Sequence, residues 1–248
     1  MKKHRGLAAL FLLAALLLTG CGAAKPEIPE GLRAPVLMYH AVSDEVWGME
    51  SLFVSPQTLR EQLEYLRDNG YTPIFFEDLP DAAGVDKPVL LTFDDGYADN
   101  YSELFPLLQE FGFKATVFVI PDNLGKPNFL TEEQVKEMAD SGLVAIESHT
   151  MTHALLDSLS PEETERELTQ SQNAIAAITG VVPQVLSYPE GRYSYFTVLI
   201  AKKLYPYATR RMDRCYVTGK EPLWRIPRYF VARQTELDEF ARMLQGDA

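Results

Sequence analysis

Two short polar segments carry most of the chemistry that this chain offers. They are Thr92-Phe93-Asp94-Asp95-Gly96 and His149-Thr150-Met151-Thr152-His153. Two carboxylates packed side by side repel each other, and a divalent cation relieves that repulsion. Histidines at i and i+4 share one face of a helical turn and can meet one ion. Side chains of neighbouring extended residues point in different directions, so one aspartate can face a metal while the other faces a substrate. The combination reads as an Asp-His-His divalent-metal site with one carboxylate left over as a base. Zinc is the first choice for two imidazoles and a carboxylate, and cobalt, nickel or iron fit the same set. The sequence has no His-Glu-x-x-His and no Gly-x-Ser-x-Gly, which argues against a thermolysin-like protease and an α/β-hydrolase. It has no Gly-rich phosphate loop either, so no nucleotide is expected.

The elements around these segments explain how they would be positioned. Pro88 to Phe93 is an apolar run without alternation, expected for a strand covered on both faces. Val36 to Tyr39, Tyr71 to Phe75, Lys114 to Val119, Leu143 to Glu147 and Val185 to Tyr188 read as further strands. Helices are expected from Ser55-Pro56 to about Asn69, from Tyr101 to Phe111, and from the capping box Thr131-Glu132-Glu133-Gln134 to near Gly142. Another runs from Ser160-Pro161 to about Ile178, then Tyr195 to Leu204, and a last one covers roughly Glu236 to Leu244. Strands alternating with helices imply six or seven parallel βα units. His40, Asp94-Asp95, His149 and the Pro189 loop all follow strand ends, and a barrel gathers such ends on one face.

The 248 residues suffice for one domain with a full core. The formal net charge of −12 argues against nucleic acid and favours a neutral or cationic polymer as partner. Lys2, Lys3 and Arg5 precede the apolar stretch Leu7 to Leu18, which is short for a bilayer span. Leu18-Thr19-Gly20-Cys21 resembles a bacterial lipobox, placing cleavage before Cys21 and a lipid on its sulfur. The expected organisation is a lipoprotein signal peptide over 1–20, a tether over 21–34 and a domain over 35–248. With Cys21 lipidated, Cys215 has no intrachain partner for a disulfide and reads as structural. The expected unit is a monomer, exported and lipid-anchored on the outer face of the cytoplasmic membrane.

From Pro35 to the C-terminus the chain resembles the polysaccharide deacetylases of the NodB-homology type, carbohydrate esterase family 4. Thr92 to Gly96 is similar to that family's first motif and His149 to His153 to its second. The resemblance implies an α/β fold, a distorted (β/α)7 barrel, circularly permuted in the branch of poly-N-acetylglucosamine deacetylases. It implies that Asp94 is the catalytic base and that Asp95, His149 and His153 bind the metal. Ser187-Tyr188-Pro189-Glu190-Gly191 resembles the Tyr-Pro-x-Gly loop of one branch. Many members carry an arginine there that contacts the catalytic aspartate, and Arg228 is the candidate replacement. The family's late Leu-x-His is absent, since no histidine follows His153. The Met-Tyr-His segment ending at His40 resembles the branch in which an early histidine takes its place.

The implied reaction is hydrolysis of N-acetyl groups from an N-acetylhexosamine-containing polysaccharide, with release of acetate. His40 would protonate the departing amine. Tyr97, Tyr188, Pro189 and Gly191 are the expected substrate contacts, with aromatic rings available to stack on sugars. Two other readings stand beside it: an O-deacetylase of the acetylxylan-esterase kind, and a carbohydrate-binding surface lipoprotein without turnover.

Overall fold

A computed structural model describes residues 27–246. The expected signal segment and Cys21 therefore lie outside the described residues. The chain runs through β1 (Val36–Tyr39), β2 (Ala41–Val42), β3 (Phe53–Val54), α1 (Pro56–Asp68), β4 (Thr72–Pro73) and β5 (Pro88–Phe93). It continues through α2 (Phe105–Phe111), β6 (Ala115–Val119), α3 (Glu132–Asp140), β7 (Val144–Ser148) and α4 (Pro161–Thr179). The last elements are β8 (Val185–Ser187), α5 (Tyr195–Leu204), β9 (Tyr207–Arg211), β10 (Ile226–Phe230) and α6 (Leu237–Gln245).

Seven of these strands close into a parallel barrel in the order β1-β5-β6-β7-β8-β9-β10, with β10 returning to β1. This is the distorted (β/α)7 architecture expected. The distortion sits at the seam. One edge of β5 carries β4 opposite Pro88 and Val89, and then β1 opposite Leu90 to Phe93. The β9–β10 connection holds no α-helix.

Alternation along each strand sorts the side chains into two layers. Val89, Leu91 and Phe93 of β5 join Leu59, Leu63, Val135 and Met138 in the layer beneath the helices. Leu90 lies on the other face with Val36, Phe118, Val185, Tyr207 and Ile226, filling the lower barrel. The same parity carries Thr92, Ser187 and Arg228 inward, one level above that apolar plug, and Asp94 continues it at the mouth. At about 25 cal/mol per Å² of apolar surface removed from water, such layers are the main stabilising term.

The expected helix starts hold. Ser55, Thr131 and Ser160 each accept the N–H three residues on, and Thr131 and Ser160 complete capping boxes with Gln134 and Glu163. Three expectations change. The strand expected over 71–75 reduces to β4, because the Phe75 N–H turns to the Asp78 carboxylate at 2.9 Å and begins a 3₁₀ stretch. The helix expected over 101–111 opens with a π-helical turn, Asn100–Leu104. There the Phe105 N–H reaches back to the Asn100 carbonyl, and Pro106 has no N–H to continue a tighter ladder. The expected tether also ends earlier. Ile28 and Leu32 pack on the barrel base, and Gly31 and Ala34 donate N–H bonds to Thr218 and Tyr216 carbonyls. Residues 28–34 are thus docked on the domain. Among the described residues no helix is long and apolar enough to cross a membrane.

Candidate active site and metal centre

Asp94 and Asp95 follow β5 directly. Asp94 keeps the inward parity of Thr92, whereas Asp95 has a left-handed backbone, φ 74°. That twist breaks the alternation and brings both carboxylates to one cavity. Gly96 completes the turn at φ 71°, where a Cβ would stand 3.1 Å from Val119 Cγ1. Glycine removes both conflicts.

The His149–His153 segment is not the helical turn that its spacing suggests. Thr150 and His153 are left-handed, at φ 64° and 62°, and the segment is an irregular loop. The two imidazoles still converge. His149 Nε2 lies 3.4 Å and His153 Nε2 3.6 Å from Asp95 Oδ1. The donor atoms of Asp95, His149 and His153 lie within 4.8 Å of one another. His149 Nδ1 is 2.8 Å from the Ser187 carbonyl, which only accepts, so Nδ1 carries the proton and Nε2 keeps its lone pair. Burial also pushes the His149 pKa down, against the upward pull of Asp94 and Asp95, and favours the neutral ring that ligation needs. Two imidazole nitrogens and a carboxylate oxygen, gathered this closely, fit one divalent cation.

Arg228 is not a surface residue. It is 1% exposed and grips Asp94 with two parallel bonds, Nη1 to Oδ1 and Nη2 to Oδ2, both 2.7 Å. It also donates to Thr92 Oγ1 at 3.1 Å and Ser187 Oγ at 2.9 Å. Burial raises the Asp94 pKa, but the Arg228 guanidinium, by its charge and its hydrogen bonds, outweighs it and holds the carboxyl well below the usual range. His40 stands on the same cavity, half-buried, its ring edge-on to Phe230 at 5.8 Å. Burial pushes its pKa down, while Asp94 and Asp95 pull it up.

The cavity has a volume of about 540 Å³ and is lined by His40, Asp94, Asp95, His149, His153 and Arg228 with Met49, Leu52, Glu190, Gly191, Arg211 and Phe230. Among the expected substrate contacts, Gly191 reaches its wall, and a Cβ there would lie 3.2 Å from the Arg211 nitrogen. Pro189 is buried beside it. Tyr188 lines the cavity but is 1% exposed, with its hydroxyl donating to the Trp224 carbonyl, so its face is packed rather than open to a sugar. Tyr97 is half-buried, in an aromatic cluster with Trp47 at 4.8 Å and Phe129 at 5.3 Å.

Several positioning groups escaped the sequence reading. Ser187 serves Asp94, Arg228 and His149 at once. The Asp99 carboxylate accepts the Val42 N–H, and the Asn100 amide donates to the His40 carbonyl, both at 3.0 Å. Their one sequence signal was proximity to a motif.

The family model described as Polysaccharide deacetylase matches residues 81–207, just over half of the chain. The chain belongs to that family, the carbohydrate esterases of the NodB-homology type. It is 38% identical over 184 residues to the Bacillus subtilis (strain 168) protein YxkH, covering 72% of this chain and 63% of that one. It is 34% identical over 134 residues to the poly-beta-1,6-N-acetyl-D-glucosamine N-deacetylase of Escherichia coli (strain K12), covering 46% of this chain and 20% of that one. The chain therefore spans less than two thirds of either relative. Among solved structures, it resembles BC0361, a polysaccharide deacetylase from Bacillus cereus, with TM-score 0.82 and 36% identity over 86% of this chain and 69% of that chain. The Streptococcus pyogenes deacetylase PplD, solved with acetate, gives TM-score 0.80 and 26% identity over 86% of this chain and 99% of that chain.

Proposed function

We propose that this protein is a metal-dependent N-deacetylase that releases acetate from an N-acetylhexosamine-containing polysaccharide. The observation that carries the reading is the meeting of three metal-ligand groups, Asp95, His149 and His153, with a separate carboxylate, Asp94, locked by Arg228 at the mouth of one cavity. A divalent ion held by the three ligands, zinc as first choice, would polarise the acetyl carbonyl and acidify a water. Asp94 takes the water's proton as general base, and Arg228 keeps it ionised and fixes where its oxygens point. The backbone N–H that follows Gly96, at Tyr97, is the candidate donor to the developing oxyanion. His40 gives its proton to the departing amine, and the Asp94 and Asp95 carboxylates favour the charged ring against its burial. Gly191 shapes the wall against which the sugar sits, with Pro189 buried beside it and Tyr188 backing that wall from within.

The protein is placed at the outer face of a bacterial cytoplasmic membrane by a lipid on Cys21, supported by the short apolar stretch and Leu18-Thr19-Gly20-Cys21. An anchored enzyme would work on cell-surface glycan.

The deciding experiment measures acetate released from β-1,6-linked poly-N-acetylglucosamine, peptidoglycan, chitin oligomers and acetylated xylan, each with zinc, cobalt or nickel. Acetate from at least one N-acetylated glycan is expected. Release from xylan alone would point to an O-deacetylase, and metal-loaded protein that binds glycan without releasing acetate would point to a binding protein. In the same assay His40→Ala should lower amide hydrolysis by roughly 10²-fold and spare an activated aryl acetate, whose leaving group scarcely needs a proton.

A further inference from the structure

The loop that presents both histidines is held in place by a residue outside every motif. Thr150 and His153 are left-handed without being glycine. Such residues are strained and persist only where their surroundings over-determine them. On one side the restraint comes from neighbouring barrel loops. The His149 N–H donates to the Val119 carbonyl at 3.0 Å, and the Asp122 N–H donates to the Met151 carbonyl at 3.1 Å. On the α4 side the Thr150 N–H reaches the Ser148 hydroxyl at 3.3 Å, and the middle of the loop is held by Glu167 of α4. Its Oε2 accepts the N–H groups of Met151 at 3.1 Å and Thr152 at 3.0 Å, and its Oε1 accepts the Thr152 hydroxyl at 3.0 Å.

Glu167 stands on a rigid support. The 19-residue α4 is capped at Ser160 and buried along Thr164, Leu168, Ser171 and Ile175. Ser171 itself bonds the Ser148 hydroxyl at 2.8 Å, at the end of β7 where the loop begins. The carboxylate thus connects a fixed helix to the middle of the loop and is not among the residues lining the cavity.

We propose that Glu167 is a positioning residue for the metal centre: it clamps the Met151-Thr152 backbone so that His149 and His153 meet Asp95. The proposal rests on the reading of Asp95, His149 and His153 as metal ligands. Partners that orient ligands in this way typically account for about 10–100-fold in metal affinity. Glutamine retains the needed pattern, since its carbonyl oxygen can accept both N–H groups while its amide donates to Thr152 Oγ1. Alanine removes all three contacts.

The test uses the full chain and two measurements. Zinc affinity is read by competition with a chromogenic chelator, and exchange of the Met151 and Thr152 amides is read by NMR on metal-free protein. Glu167→Ala should weaken zinc binding about 10–100-fold and speed exchange at both amides about 10-fold or more, while Glu167→Gln stays within about threefold of wild type on both. Glu165→Ala, an exposed neighbour on α4, should change neither. Zinc affinity within twofold of wild type in Glu167→Ala would overturn the proposal, as would a loss in Glu167→Gln as large as that in Glu167→Ala. If Glu167→Ala fails to fold, Glu167→Asp, which withdraws the carboxylate by one methylene, reads the same two quantities. Wild-type protein that binds no zinc would instead remove the metal-site reading, and the exchange arm would still show whether Glu167 holds the loop.

Discussion

At the scale of single residues, the central fact is that a buried arginine and a buried aspartate are paired by two short parallel bonds. Taking either charge out of water is expensive, and the pair is stable only because each partner is present. Arg228→Met is expected to destabilise the fold by about 3–5 kcal/mol in urea titrations, because Asp94 is left buried and unpaired. Arg228→Lys keeps the charge but not the fork, so turnover should fall even if stability recovers. Asp94→Asn is expected to keep the metal and lower kcat by about 10²–10⁴-fold, since an amide cannot take up the water's proton. Loss of metal in Asp94→Asn would exchange the roles of the two aspartates. The two aspartates and two histidines were legible because each pair lies within five residues of chain. Arg228 was legible only as a candidate: it lies 134 residues from Asp94, and nothing local distinguishes it from an exposed strand arginine. Only the inward parity of β10, shared with Ile226 in the barrel interior, decides its direction.

At the scale of elements, the turns after the strands matter more than the strands. The strand positions were readable from unbroken apolar runs, and α5 spans the expected residues, Tyr195–Leu204. The shapes of the two motif loops were not readable, because they depend on left-handed residues at Asp95, Thr150 and His153, where side-chain type gives no warning. The i, i+4 spacing brought the histidines together for a reason other than a helix. Gly96 is the one left-handed position of the first turn that the sequence marks. Gly96→Ala combines a φ of 71° with a Cβ 3.1 Å from Val119 Cγ1. Gly112 ends α2 at φ 64° with nothing within 4 Å, so Gly112→Ala carries the backbone strain alone. Gly112→Ala should lose about 1 kcal/mol and Gly96→Ala clearly more, with metal affinity reduced only in the second. Equal losses in stability and unchanged metal affinity would show that Val119 moves aside freely.

At the scale of the whole molecule, the barrel closes through its first strand, and His40 enters the site only because β1 lies between β5 and β10. The βα alternation made the barrel legible, but the seam shared by β4 and β1 was not, since a two-residue strand carries almost no pattern. The segment leaving β1 is tied down by Asn100, through the His40 carbonyl, and by Asp99, through the Val42 N–H. Asp99 is consequently half-buried beside Glu103 and Tyr97, and burial pushes its pKa up to about 6, with Glu103 adding to the rise and the Val42 and Asn100 bonds opposing it. The ordinary value is 3.8. Between those two values the folded chain holds a proton that the unfolded chain has released, so this group's contribution to stability falls as pH rises from 3.8 to about 6. The slope within that window is at most about 1.4 kcal/mol per pH unit. Asp99→Asn keeps an oxygen for the Val42 N–H and cannot ionise. Unfolding free energies of wild type and Asp99→Asn, measured in urea with a chelator at several pH values from 4 to 7, isolate the effect, because the other carboxylates of this acidic chain cancel in the difference. Wild type should lose stability relative to Asp99→Asn as pH rises through the window and run parallel to it above about pH 7. A difference that stays flat, or that moves in favour of wild type, would mean that Asp99 is ionised in the folded chain and that its bonds to Val42 and Asn100 outweigh its burial.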